Sequence, residues 1–466
     1  MELSYITILF LYLLIVVLTI RKTLLQVSNP AKTLSWIMVI VFMPVFGLLL
    51  FKIIGRNIRK DKKSLQIQPF YNSTNHPIKM DLLPSNKRRL VSLLDQNLSS
   101  GISYNNEVLV IKNGEATFNS ILLDFEKAKR TIHLDFYIIE GGKIFSNFKE
   151  VFKLKIKEGV KIRLVYDAFG TGRKNNSLIN ELEAIGVETK VYMPFNFLTS
   201  LSYLNYRNHR KIVIIDSQIA YTGGMNISDK HISSQNTLGL WRDTFVKIVG
   251  LAALDFEKVF NSDWAHAGGS LIEIETKQET SDEGGVPVQV IASGPDSPFH
   301  GILHEYFTII TDAEDYVYIS TPYFVPGESI LMALKTAALS GIDVRLMMPY
   351  NSDSKWMRWC MFTYLEDLLA AGVKIYLYHK GFLHNKVFIS DDIISSIGTA
   401  NVDERSFETN FEINAIIYDR KTTLDLKSHF FEDIASCELL SLEHFQSRPD
   451  RNKIMEAVAR LTSPIL

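Results

Sequence analysis

The chain has 466 residues, 47% of them hydrophobic and 22% charged, with a formal net charge of −1. The length suits two or three folded units, and the composition excludes a disordered chain. The charge balance excludes a basic nucleic-acid coat, and the two cysteines, Cys360 and Cys437, exclude a disulfide framework and fit a reducing compartment.

Two uncharged apolar runs come first, residues 3–20 (LSYITILFLYLLIVVLTI) and 33–51 (TLSWIMVIVFMPVFGLLLF). Each is about long enough to cross a hydrocarbon core, which predicts transmembrane segments over 3–20 and 33–54. The first lacks the basic n-region and the small-x-small cleavage site of a signal peptide. Pro44 and Gly47 in the second are tolerated in membrane helices. Lys52, Arg56, Arg59, Lys60, Lys62 and Lys63 follow the second run, against Arg21, Lys22 and Lys32 between the two. That bias predicts a multi-pass protein of the cell membrane, its catalytic part on the cytoplasmic side.

A basic and polar connector is expected over 55–105. Beyond it strands and helices alternate. IHLDFYII (132–139) and VKIRLVYDAFG (160–170) read as strands, with a helix over 145–158 between them. A helix near 177–185 then ends at Gly186, before VETKVYM. The scheme recurs in VYISTPYFV (317–325), a helix over 328–340, IDVRLMMP (342–349) and LEDLLAAGVKIYLY (365–378). This predicts an α/β fold of two similar halves, 106–267 and 286–466, each a mostly parallel sheet flanked by helices. The Gly-flanked polar stretch 268–285 reads as the linker between them.

Each half carries the pattern H-x-K-x-x-x-x-D. The first copy is His209, Lys211 and Asp216, and the second is His384, Lys386 and Asp391. Gly223 and Asn226 follow the first, and Gly398 and Asn401 follow the second. Every pair is offset by the same 175 positions (384 − 209 and 401 − 226, for example). A registered duplication implies a pseudo-two-fold with one site at the interface of the halves.

On a strand, positions i and i+2 share a face, so each His–Lys pair points into one site. Asp216 and Asp391 lie an odd number of residues beyond the histidines and read as support, off that face or in a turn. Lysine suits phosphate oxygens, and histidine can attack phosphorus or shuttle a proton. One histidine on each side of a phosphorus supplies a nucleophile and an acid/base. The lysines and the amides of Asn226 and Asn401 would stabilise charge on the phosphate oxygens, with no metal or other cofactor required. A nucleophilic histidine also needs an acceptor to fix its tautomer. Asp243 in WRDTFVKI and Glu412 in NFEINAII hold equivalent places, which makes them candidates for orienting His209 and His384; the alternative is that they are solvated acids at strand ends.

The paired motifs resemble those of the phospholipase D superfamily, and within it the chain is similar to the bacterial cardiolipin synthases. The resemblance runs nearly end to end. It covers AKTLSWIMVIVFMPVFGLLLFKIIGRN, YRNHRKIVIIDSQIAYTGGMNI (206–227), SGPDS (293–297), STPYFVPGE (320–328), GFLHNKVFISDDIISSIGTANVDERSFETNFEIN (381–414) and the final RLTSPIL. It implies a membrane-bound phosphatidyltransferase that joins two phosphatidylglycerol molecules into cardiolipin and releases glycerol through a phosphatidyl-histidine. It also implies that His209 is the nucleophile and His384 the acid/base, which motif symmetry alone does not assign. Thr399 departs from the common Ser, and Ile389-Ser390 interrupt an aliphatic strand; neither is expected to touch the reacting positions.

The partners expected are phosphatidylglycerol and membrane lipid, not nucleic acid. Lipid has to be selected over water, and two aromatic stretches near the motifs, 192–206 and 356–365, could receive acyl chains. For 356–371 a buried amphipathic helix is the alternative. The competing activities are a phospholipase D-type hydrolase and a non-catalytic membrane scaffold.

Overall fold

The computed structural model describes residues 2–26, 30–54, 85–194, 205–232, 238–274 and 284–461. The basic run from Arg56 to Lys63, residues 195–204 of the first aromatic stretch, residues 275–283 of the linker and the last five residues lie outside the described residues.

One sheet runs through both halves. From the middle outward the first half contributes Ile102–Lys112, Thr244–Gly250, Ile219–Gly223, Lys211–Ile215, Thr131–Phe136, Lys161–Asp167 and Glu188–Tyr192. The second half repeats the order with Val286–Ser293, Asn410–Ile417, Ile394–Gly398, Val387–Ser390, Tyr316–Ser320, Asp343–Pro349 and Lys374–Tyr378, and adds an edge strand, Cys437–Leu440. Antiparallel pairing of Ile102–Lys112 with Val286–Ser293 joins the halves.

The sheet is mixed rather than mostly parallel. Outward of the motif hairpins the strands pair in parallel, the antiparallel edge strand Cys437–Leu440 excepted, because helices such as Lys143–Lys157 and Gly327–Leu339 supply the crossovers that parallel pairing needs. The motif strands are instead antiparallel hairpins, Lys211–Ile215 with Ile219–Gly223 and Val387–Ser390 with Ile394–Gly398. Asp216 and Ser217 turn the first with φ of 53° and 58°, and Asp391 and Asp392 turn the second with φ of 54° each. Two successive residues at positive φ make a type I′ turn, whose twist matches the strands.

Side-chain alternation in the motif strands sets the layers. Ile212 and Ile214 face a core shared by both halves, with Ile389, Ile413 and the Phe256 and Phe260 rings of the helix Ala252–His266. Val213 and Ile215 face the first half's own core. Burying each such aliphatic or aromatic side chain stabilises by ~1.5–3 kcal/mol, so the inter-half core is part of the fold and not a loose contact.

The expected connector is structured in its described part. The helix Arg88–Leu98 buries Leu90, Val91 and Leu94 in the second half's core, and Lys87 makes a buried 2.9 Å ion pair with Asp391. The stretch 356–371 forms two helices, Lys355–Phe362 and Leu365–Ala370, which bury Cys360, Met361, Leu365 and Leu368 in the same core. It packs on the core through one face and exposes Trp356, Glu366, Asp367 and Ala370 on the other.

The first apolar run is a 25-residue helix, Glu2–Gln26, about 37 Å long and sufficient to span a bilayer. The second is not one helix over 33–54. It forms Pro30–Phe42 and Pro44–Ile54, of 13 and 11 residues, each too short to span. The pair folds back on itself. Trp36 and Phe51 would be about 22 Å apart on a straight helix, yet their rings meet edge to face at 5.4 Å. Pro44 breaks the helix, and Gly47 permits the close return, since a Cβ there would lie 2.5 Å from the Val39 carbonyl oxygen. Val16 of the long helix packs with Ile40 and Phe51.

Candidate active site

The site lies where strands of the two halves cross. Arg207–Asn208 pairs in parallel with Asn410–Phe411, and Gly381–Leu383 pairs with Leu240–Arg242. The next residues are His209, whose amide donates to the Phe411 carbonyl at 2.9 Å, and His384, whose amide donates to the Arg242 carbonyl at 2.7 Å. Each histidine is therefore fixed to a strand of the opposite half. Both precede their motif strands instead of lying on them, so the approach segment orients them and not the parity of one strand.

The acids are exchanged in the same way. His209 Nδ1 lies 2.9 and 3.0 Å from the two carboxylate oxygens of Glu412. His384 Nδ1 lies 2.7 Å from Asp243 Oδ2. Both acids are fully buried. An imidazole that donates from Nδ1 presents the Nε2 lone pair to the site. Lys211 Nζ donates to the His209 carbonyl at 2.5 Å, and Lys386 Nζ lies 2.8 Å from the His384 carbonyl and 3.2 Å from His384 Nε2.

The charges show that the pairs share one space. Burial lowers His209 to about 4, and Lys211 and Lys386 from opposite halves both add to the fall, against Glu412. Burial also lowers His384 well below its usual value, with Lys386, Lys211 and His209 all contributing. Both imidazoles are neutral near pH 7. Burial and mutual repulsion bring Lys211 down to about 7, and burial brings Lys386 down to about 8. Two desolvated ammonium groups side by side are a site short of an anion. Burial raises Asp243. It also pushes Glu412 upward, but His209, Lys211 and the Thr399 hydroxyl outweigh it and hold Glu412 below its ordinary value.

Around this common core the two sides differ. His384 sits among rings: Trp241 at 4.9 Å, Phe382 at 5.8 Å and His231 at 6.0 Å between centroids. His231 Nε2 accepts from the Asn226 amide at 3.0 Å, and burial lowers it to about 3, so it too is neutral. The matching positions beside His209 are Asn410, Arg207 and Ser406. Glu412 accepts there from Thr399 Oγ1 at 2.6 Å, Ser406 Oγ at 3.0 Å and Asn410 Nδ2 at 3.2 Å. Among the described residues the one ring on His209 is Tyr137, edge-on at 5.1 Å.

The remaining sequence candidates divide. Asn226 and Asn401 are buried, and both are engaged within the protein. Asn226 Oδ1 accepts from the Ile138 amide at 3.2 Å, and Asn401 Nδ2 donates to Asp403 at 3.0 Å. Asp216 and Asp391, grouped with the catalytic set by the motif, are not in the site. They sit in the turns at the far ends of the motif strands, about 15 Å away. Asp216 accepts from the amides of Lys129, Arg130 and Thr131, and Asp391 from those of Glu314, Asp315 and Tyr316. The motif's final Asp is thus a turn residue that caps the start of the next strand.

Thr399 meets the site one step back from the reacting groups, because its hydroxyl is one of the groups that fix Glu412. Its counterpart at the 175-residue offset is Gly224, where a Cβ would lie 2.5 Å from Asp243 Oδ1. Ser406 and His231 also keep that offset, so extending the register past Asn226 would have found them. Tyr137, Trp241 and Phe382 carry no motif signal.

A family model described as "Cardiolipin synthase, PLD-like domain" matches residues 121–264 and 306–434, and one described as "Phospholipase_D-nuclease N-terminal" matches residues 8–56. The cardiolipin synthase of Clostridium perfringens is 37% identical over 94% of this chain and 95% of its own length. That of Geobacillus kaustophilus is 38% identical over 95% and 90%. The chain belongs to the cardiolipin synthase family. It is a membrane-associated enzyme that transfers phospholipid groups. The fold has a solved counterpart in the phosphatidylserine synthase of Haemophilus influenzae, with a TM-score of 0.62 over 82% of this chain and all of the other, at 11% identity.

Proposed function

We propose that the protein condenses two phosphatidylglycerol molecules to cardiolipin and glycerol through a phosphatidyl-histidine at His209. The observation that carries this reading is the pair of neutral imidazoles, each held at Nδ1 by a buried acid, beside two buried lysines. His209 Nε2 attacks phosphorus, and the P–O bond to the glycerol headgroup breaks. As the anionic phosphodiester enters, His384, backed by Asp243, takes up a proton at Nε2, and the leaving oxygen takes that proton. The terminal hydroxyl of the second phosphatidylglycerol then forms a bond to phosphorus as the P–N bond breaks, and its proton passes to His384. Lys211 and Lys386, helped by Asn226 and Asn401, neutralise the phosphate oxygens, while Glu412 and Asp243 steady the imidazoliums. The rings around His384 suit it to the role that is an imidazolium before the first step and again after the second.

The two sequence halves, 106–267 and 286–466, act in this reading as one catalytic unit. Its place on the cytoplasmic face rests on charge. If Glu2–Gln26 spans and the short helices re-enter, the nine Lys and Arg residues between Arg21 and Lys63 share one side with the catalytic part. The test is purified protein with phosphatidylglycerol as sole lipid. Cardiolipin and glycerol in equal amounts are expected; phosphatidic acid instead would make the enzyme a hydrolase, and no turnover would make it a scaffold.

A further inference from the structure

Cardiolipin formation brings a second phosphodiester to the site, one three-carbon glycerol away from the phosphorus that reacts. Lys211 and Lys386 are committed to the first phosphate. The second is a monoanion approaching another monoanion, and unless a further cation receives it, repulsion favours water or a neutral alcohol.

Arg405 occupies the place for that cation. It follows the site turn that holds Asn401, and Nε donates to Asn410 Oδ1 at 3.3 Å. Asn410 in turn donates to Glu412, the acid that holds His209. The guanidinium is thereby tied to the His209 half-site by two hydrogen bonds in series. It is half-buried, at the edge of a site whose lysines are fully buried. No ion pair of Arg405 occurs among the described residues, although acids surround the site. Its charge reaches the neighbouring wall: burial and Asp167 raise the Tyr137 phenol, and Arg405 and Arg207 oppose that rise.

The other half gives an internal control. Lys230 is the counterpart at the same offset (405 − 230 = 175). Lys230 is turned to the surface and lies 3.1 Å from Glu140, its side chain 51% exposed. The duplicated position keeps a cation in both halves, but only the one beside His209 is held against the site.

We propose that Arg405 binds the phosphodiester of the acceptor lipid and so selects an anionic glycerophospholipid over water and neutral alcohols. This rests on the phosphatidyltransferase reading above. In-line attack puts the acceptor hydroxyl on the His384 side of phosphorus, and the flexible glycerol lets its phosphate return to the rim that Arg405 occupies. Arg405 forms and breaks no bond in the step.

The test uses the full chain in detergent and compares two acceptors for the same donor. One arm measures cardiolipin from phosphatidylglycerol; the other measures exchange of labelled free glycerol into phosphatidylglycerol, whose acceptor is neutral. In Arg405→Gln the ratio of cardiolipin formation to exchange should fall about tenfold, with a raised KM for acceptor lipid. Arg405→Lys, which keeps the charge, should hold the ratio within about twofold of wild type; it decides the matter if the glutamine variant shows no exchange at all. An unchanged ratio in Arg405→Gln, whether both arms fall together or neither falls, overturns the proposal, as does a Lys variant as defective as Gln. Wild-type protein that forms no cardiolipin overturns the underlying reading as well; wild-type formation with an unchanged variant ratio overturns this proposal alone.

Discussion

Around His209 the wall is polar and hydrogen-bonded; around His384 it is aromatic. The offset of 175 residues pairs Ser406 with His231 and Thr399 with Gly224, and the two equivalent strand pairings, Arg207 with Asn410 and Phe382 with Trp241, make Asn410 the counterpart of Trp241 and Arg207 that of Phe382. A duplicated framework thus keeps the reacting groups alike and lets their surroundings diverge. Identical residues at a pseudo-two-fold therefore need not do identical work, and the surroundings are where the difference is found.

The largest effects should come from the histidines. His209→Ala and His384→Ala are each expected to abolish transfer, by roughly 10³-fold or more. Incubation with phosphatidyl-labelled lipid separates them: His384→Ala should retain a trapped protein adduct and His209→Ala should not. An adduct found only in His209→Ala would reverse the assigned roles.

The acids come next. Glu412→Gln and Asp243→Asn should each cost ~10²–10⁴-fold in kcat by freeing the tautomer. They should differ in stability. Glu412 accepts from three side chains besides His209, so an amide there turns its NH2 toward donors and leaves buried groups unsatisfied, at ~1–3 kcal/mol each. Among the described residues Asp243 accepts, besides His384, from the Thr244 amide at 2.8 Å. Thermal melts should show a lower Tm for the Glu412 variant. Equal melting temperatures would mean that the polar wall does not brace its acid.

The smallest effect concerns pH. Lys211 is held at about 7, so the folded protein releases a proton there that the unfolded chain keeps to about 10. The unfolded state binds more protons across that window, and this group's penalty fades as pH rises from about 7 toward 10. Lys211→Met should lose activity yet melt a few degrees higher at pH 6. The Tm gap to wild type should narrow by pH 9; a gap independent of pH would mean the lysine is not strained.

The reacting residues were legible because a registered repeat is a strong signal. Their wiring was not. Sequence placed Asp243 and Glu412 at equivalent positions, but which acid faces which histidine depends on strand order, and strand order exchanges them across the halves. The mixed sheet was missed for a similar reason: βαβ spacing marks the outer strands, and nothing in IVII or VFIS announces an antiparallel hairpin. The fold-back at Pro44 was hidden because hydropathy counts length and not direction. The aromatic wall comes from separate segments, each ordinary by itself.

The exchange of acids also bears on biosynthesis. Glu412 follows His209 by 203 residues. At ribosomal speeds of roughly 5–20 residues per second, some ten to forty seconds separate the two. The anchor helix meets lipid long before then. Through that interval the nascent first half holds a histidine and a lysine but no acid to orient the histidine. On the proposed mechanism it therefore stays chemically silent until the whole chain has folded.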